Sequence, residues 1–233
     1  MEMLKCDTHQ NKIAVYRFQD VVPFYKKVSF SSISNVIIEN EFNGFKWYFE
    51  KVCKQDNVAK IIRKNFYEIS VPEFIGTYLP SVATIGKNKT FINSIIDFYC
   101  NYWPQGDDFH IHGDLALSNV IFSKQPFIID WEHFHKADQE YFGFDIINML
   151  FIALWSESPK KFRFKRSSIE FIYSCRKRLF RNFPQIDLAS QPFQRAKDYL
   201  INNAKKFNVR VDVGKKFALA SCPDDLLKEL DKK

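Results

Sequence analysis

His112-Gly113-Asp114-Leu115-Ala116-Leu117-Ser118-Asn119-Val120-Ile121-Phe122 and, a short turn later, Ile128-Ile129-Asp130-Trp131-Glu132 alternate apolar runs with single polar residues. Val120-Ile121-Phe122 and Phe127-Ile128-Ile129 are short, β-branched and aromatic, and Ser123-Lys124-Gln125-Pro126 separates them. Such a pattern predicts two strands joined by a turn. If the two pair antiparallel, Asn119 before the first strand and Asp130 after the second reach the same end of the hairpin. Upstream, a short strand is expected to end at His112, and Gly113 lets the following loop bring Asp114 close to a ligand.

Three oxygen-bearing side chains in this order suit one chemistry. Phosphoryl transfer from ATP needs a carboxylate to orient and deprotonate the attacking hydroxyl, oxygen ligands for Mg²⁺, and a cation on the phosphates. Asp114 is the candidate base. Asn119 and Asp130 are the candidate metal ligands, because Mg²⁺ takes one or two protein oxygens and completes its shell with water and phosphate.

With Asp114, Asn119, the apolar triplet and Asp130 so spaced, the stretch closely resembles the aminoglycoside phosphotransferase/choline kinase family. That family is a branch of the protein-kinase-like fold. The resemblance implies an α+β, two-lobed chain, with a small β-rich N-lobe over residues 1–80 and a larger helical C-lobe over residues 81–233. It implies ATP and Mg²⁺ as cofactors, and a hydroxyl of a small molecule or saccharide as acceptor. It matches Asp114 to the catalytic base, Asn119 and Asp130 to the metal ligands, and His112 and Gly113 to residues that shape the loop. Glu132 also falls at a family-like position, as support for a second metal or for the loop. Gly143-Phe144-Asp145-Ile146-Ile147-Asn148 is similar to the family's next helix start, which makes Asp145 a structural support of the catalytic loop.

The same resemblance implies a lysine on the third strand and a glutamate on the next helix, the pair that holds the phosphates. Phe24-Tyr25-Lys26-Lys27-Val28-Ser29 offers two lysines, and Glu39 and Glu41 offer the acid. Strand alternation sends Lys26 and Lys27 to opposite faces, so only one points into a cleft. The string after Lys27 favours Lys27 with Glu41. No glycine precedes Gly44, so a Gly-rich phosphate loop is missing; the polar turn Thr8-His9-Gln10-Asn11-Lys12 lies where one is expected. The adenine-binding hinge is expected near 74–81.

Two other readings compete. His110-Ile111-His112-Gly113-Asp114 also spells H-x-H-x-D, and two imidazoles at i and i+2 of a strand can share a zinc ion. A pseudokinase, with the fold kept for partner recognition, accounts for the missing glycine loop; the intact Asp114/Asn119/Asp130 set opposes it.

Elsewhere, Ile13–Phe18 and Val21–Phe30 read as strands, with Pro23 demoting part of the second to an edge or bulge. Ser34-Asn35 is a candidate cap for a helix to about Lys54, and Lys60–Tyr78 is strand-like, broken at Val71-Pro72. Pro80–Lys89 reads as a loop and 90–103 as a helix; from Phe142 the chain reads as helical, with breaks near 158–159, 184–192 and 209–214.

Aromatic residues make up 17% of the chain, which implies a bulky core. The net charge of +7 favours phosphorylated ligands or anionic surfaces, and no nucleic-acid module is recognisable. Lys160–Arg166 alternates cations with Phe; an anionic acceptor suits it better than a polycationic aminoglycoside, and it leaves peripheral membrane contact open. Five scattered cysteines without a C-x-x-C pair speak against a disulfide framework. With no apolar leader segment at Met1–Asp7, a soluble, cytoplasmic protein is expected.

Overall fold

The computed structural model describes residues 1–7, 13–157 and 165–179. They combine antiparallel sheets with separate helices, an α+β architecture, and divide into two compact units.

The first unit comprises Met1–Tyr78, Tyr102–Gly113 and Asn119–Ala137. Its main sheet holds strands β1 (Glu2–Asp7), β2 (Ile13–Phe18), β3 (Phe24–Ser29), β4 (Lys60–Arg63) and β5 (Tyr67–Pro72), in the spatial order β1-β2-β3-β5-β4. All its ladders are antiparallel, so β3 is the central strand, paired with β2 on one side and β5 on the other. The edge placement that Pro23 suggested is therefore wrong. Pro23 stands one residue outside the ladder, where it needs no amide donor, and its carbonyl accepts from Glu73 N at 2.8 Å.

Helix α1 (Ser32–Trp47) follows β3. Its N-cap is Ser31, earlier than the sequence suggested, because Ser34 serves as the N3 half of a capping box: Ser34 N donates to Ser31 Oγ at 3.1 Å, and Ser31 N donates to Ser34 Oγ at 3.0 Å. The helix continues as a π-helical turn, Tyr48–Cys53, and stops at Lys54, whose φ of 56° turns the chain left-handed.

The strand-like segment 60–78 is interrupted first between β4 and β5 and again after Pro72, before the short strand β6 (Thr77–Tyr78). Two smaller sheets complete the first unit. Strand β7 (His110–Ile111) pairs with β10 (His135–Lys136), and β8 (Val120–Phe122) lies between β6 and β9 (Phe127–Ile128). The expected hairpin is the β8–β9 pair, in the register Val120↔Ile128 and Ile121↔Phe127.

Beneath the hairpin lies an aromatic nest. Trp131 is fully buried, with Trp47 6.0 Å, Trp103 6.2 Å, Tyr48 5.4 Å and Phe134 5.8 Å away between ring centroids. Here the high aromatic content does its packing, since rings at these separations contribute beyond area burial alone.

The second unit gathers Leu79–Asn101, Asp114–Ser118 and the chain from Asp138 onward. Its described helices are α2 (Ile85–Tyr102), α3 (Phe144–Glu157) and α4 (Arg166–Leu179). Helix α2 starts inside the expected Pro80–Lys89 loop and kinks at Asn88, whose side chain donates to the Thr84 carbonyl at 2.7 Å. Ile92, Ile95, Ile96 and Tyr99 recur at helical spacing and are buried, as are Ile146, Met149, Leu150 and Leu154 on α3. No helix among the described residues is long and apolar enough to cross a membrane.

Candidate functional site

Lys27 stands on the third strand, at the centre of the main sheet, and Glu41 on the helix that follows it. Three turns of α1 bring Glu41 back over the strand, where Lys27 Nζ and Glu41 Oε2 are 2.7 Å apart. Lys27 Nζ also meets Asp130 Oδ1 at 2.6 Å and Glu132 Oε1 at 3.3 Å. One ammonium thus lies against three carboxylates.

Burial grades the three contacts. The Glu41 side chain is 3% exposed and that of Lys27 17%, whereas Asp130 is 46% exposed. Burial alone favours neutral lysine, but the charges of Glu41, Asp130 and Glu132 overcome it and raise the Lys27 pKa. The buried carboxyl of Glu41 is pushed up to about 7, burial outweighing the lowering effect of Lys27. Glu41 Oε2 is held by the Lys27 ammonium, the donor nearest to it in this buried position.

Lys26, the alternative cation, points elsewhere. Its Nζ pairs with Glu68 Oε2 on β5 at 2.8 Å, consistent with alternation along the strand. Glu39, the alternative acid, pairs with Arg63 at 2.7 Å.

Asp130 is aimed by its backbone. The ladder ends at Ile128, although Ile129 N still donates to the Asn119 carbonyl at 2.9 Å, so Asn119 and Asp130 share one end of the hairpin. At Asp130 φ becomes 69°, a left-handed conformation that Asp tolerates better than most residues. Trp131 is then turned inward, where its indole N–H donates to the Ile128 carbonyl at 2.9 Å.

His112 is fully buried, and its Nε2 lies 2.9 Å from the Ile129 carbonyl, the geometry of a neutral ring donating to the segment before Asp130. Burial holds its pKa down at about 4. Gly113 has a φ of 87°, and a Cβ there would stand 2.6 Å from the His133 carbonyl oxygen. Only glycine fits that approach. His110 stacks on Phe134, with ring centroids 4.9 Å apart.

Asp114 lies in the second unit, in its Asp114–Ser118 segment, and is exposed. Leu115, next to it, accepts from Asn148 Nδ2 on α3 at 3.3 Å. Asp145, one turn before Asn148, is fully buried, and its charge helps burial raise the Tyr99 hydroxyl pKa.

Among the described residues, one group of potential metal ligands converges: Glu41, Asp130 and Glu132 offer oxygens within 4.8 Å of one another. Neither histidine of the H-x-H pair belongs to it. An all-oxygen set suits a hard cation such as Mg²⁺ better than zinc, which prefers nitrogen and sulfur donors. Glu132 thus joins Asp130 in the cluster; in sequence its only signal was its place after Asp130-Trp131. The turn at 8–12, the break expected near 158–159, residues 160–164 of the basic run, and the breaks expected at 184–192 and 209–214 lie outside the described residues. Compared with known proteins, the chain matches no family model and no curated sequence.

Proposed function

We propose that this chain is an ATP/Mg²⁺-dependent phosphotransferase of protein-kinase-like fold, acting on a hydroxyl of a small molecule or saccharide. The observation that carries the reading is the contact of Lys27 with both Glu41 and Asp130. A strand lysine, a helix glutamate and the carboxylate ending the β8–β9 hairpin converge on one point. Sequence resemblance alone had paired Lys27 with Glu41 and matched Asp130 to a metal ligand, and Asp130 lies far from both in the chain.

On this reading Glu41 holds Lys27 extended, and the ammonium receives the α/β-phosphates. Asp130, Glu132 and Asn119 hold Mg²⁺, which when bound offsets the charge on the phosphates. Asp114 orients the acceptor hydroxyl and takes its proton. The fixed φ at Asp130 keeps its carboxylate aimed before ligand arrives, so little reorganisation accompanies binding. The cytoplasm, as a source of ATP and a reducing setting for scattered cysteines, is the location that goes with this role.

The test pairs binding with turnover. MgATP at a hundred times its Kd should add about 2.7 kcal/mol of stability. Asp114→Asn should keep that shift and lose ADP formation, by roughly 10²–10⁴-fold, the usual weight of a general base. No shift with millimolar MgATP sinks the enzyme reading and leaves the pseudokinase.

A further inference from the structure

Helix α1 meets the Asp130 segment along one face, and at one point the approach is closer than any residue but glycine allows. A Cβ built on Gly44 would lie 2.5 Å from Trp131 Cβ, 2.7 Å from Cγ and 2.9 Å from Cδ2. These atoms form the root of a fully buried side chain and not its free end, so neither partner can swing aside. On the same helix face, Asn40 Nδ2 donates to the Glu132 carbonyl at 3.2 Å, and the Tyr48 hydroxyl, just past the helix end, donates to the Pro126 carbonyl. Asn40, Gly44 and Tyr48 are at i, i+4 and i+8, one stripe of the helix, and Glu41, three residues before Gly44, flanks it.

We infer that Gly44, Trp131 and Asn40 are positioning residues: their contacts seat α1 against the Asp130–Glu132 segment at the depth where Glu41 meets Lys27. Glu41 lies one turn before Gly44, so a helix lifted off Trp131 carries its carboxylate away from the lysine. The close approach also explains why an interior helical position holds glycine, the poorest helix former after proline. The consequence for nucleotide binding rests on the phosphotransfer reading; the seating of the helix does not.

The Gly44→Ala variant of the full chain tests this by amine-acylation footprinting read by mass spectrometry, with thermal denaturation and MgATP titration alongside. Helix propensity alone makes alanine the more stable choice. The seating predicts the reverse: a lower Tm, Lys27 acylated several-fold faster, Lys26 unchanged beside Glu68, and weaker MgATP binding. A Tm at or above wild type with unchanged Lys27 labelling overturns the inference. If Gly44→Ala does not fold, Asn40→Ala leaves the Trp131 packing untouched and carries the same labelling test. Faster Lys27 acylation there supports the seating, and no change overturns it. Wild-type protein that fails to bind MgATP would end the phosphotransfer reading, while the labelling ratio still decides the role of the helix.

Discussion

Asp130 Oδ1 stands 2.6 Å from Lys27 Nζ at the residue where the backbone turns to a φ of 69°. Strand β9, the left-handed turn and the ion contact are one device: the turn ends the ladder, buries Trp131 and swings the carboxylate toward the lysine. Asp130→Asn and Asp130→Gly both tolerate that φ. Each should stay within about 1 kcal/mol of wild type, since a half-exposed pair contributes little. Asp130→Ala should be less stable than either, by about 1–2 kcal/mol, because a Cβ without a short polar group resists the left-handed region. Urea titration of the three variants checks the order, and equal stabilities would show that the backbone is not held there.

Lys27→Met removes the cation from three carboxylates and keeps the chain length. The buried Glu41 sets the cost, so a loss of up to about 3 kcal/mol is expected at alkaline pH, where that carboxyl must carry its charge unpaired, the lower range for breaking a buried pair. Lys27 is what holds the Glu41 pKa down against burial, so in the variant that carboxyl is pushed above about 7, takes up a proton near neutrality, and the loss should deepen as pH rises. Denaturant curves for the variant at neutral and alkaline pH read this directly; a variant as stable as wild type at the higher pH would contradict it.

His112 gives the pH dependence a sign. Its pKa in the folded chain, about 4, lies below the ordinary 6.5, chiefly through burial. Between those values the unfolded chain binds the extra proton, so stability rises with pH across the window. Its contribution is fully present above about 6.5 and lost as pH falls toward 4. At about 1.4 kcal/mol per pKa unit the whole window is worth on the order of 3 kcal/mol. His112→Asn should flatten the slope of unfolding free energy against pH there, and an unchanged slope would assign it to other groups.

Gly113→Ala forces a side chain into a φ of 87° and against the His133 carbonyl. Conformation and contact together should cost at least about 2 kcal/mol. Thermal denaturation decides it. A neutral outcome would mean that the loop before Asp114 moves freely enough to absorb a methyl group.

Much of this site could be read from the chain because local pattern and chemistry agreed there. The β8–β9 hairpin showed as two apolar triplets around a proline turn, and its ends are where Asn119 and Asp130 stand. The choice of Lys27 over Lys26 could not come from alternation, which separates the two lysines without saying which face is which. It rested on the string after Lys27, and the neighbouring strand gives it a physical ground, since Glu68 there pairs with Lys26. Pro23 misled because the rule for proline in sheets concerns residues inside a ladder, and Pro23 precedes one. The start of α1 was misplaced because Ser31 and Ser34 cap reciprocally and either serine resembles a cap in isolation. Gly44 carried no signal at all, since the residue it touches, Trp131, is distant in sequence.

The nest around Trp131 has an optical consequence. Trp47, Trp103 and Trp131 lie with ring centroids 5.2 to 6.2 Å apart, three of the four tryptophans of the chain. Indoles this close, with Trp47 tilted against the nearly parallel Trp103 and Trp131, couple their electronic transitions, giving a near-ultraviolet circular dichroism band that depends on their relative orientation. Trp47 rides on α1 and Trp131 on the Asp130 segment. The folded chain therefore carries its own spectroscopic ruler across the contact that aligns Glu41 with Lys27, readable without a label or a ligand.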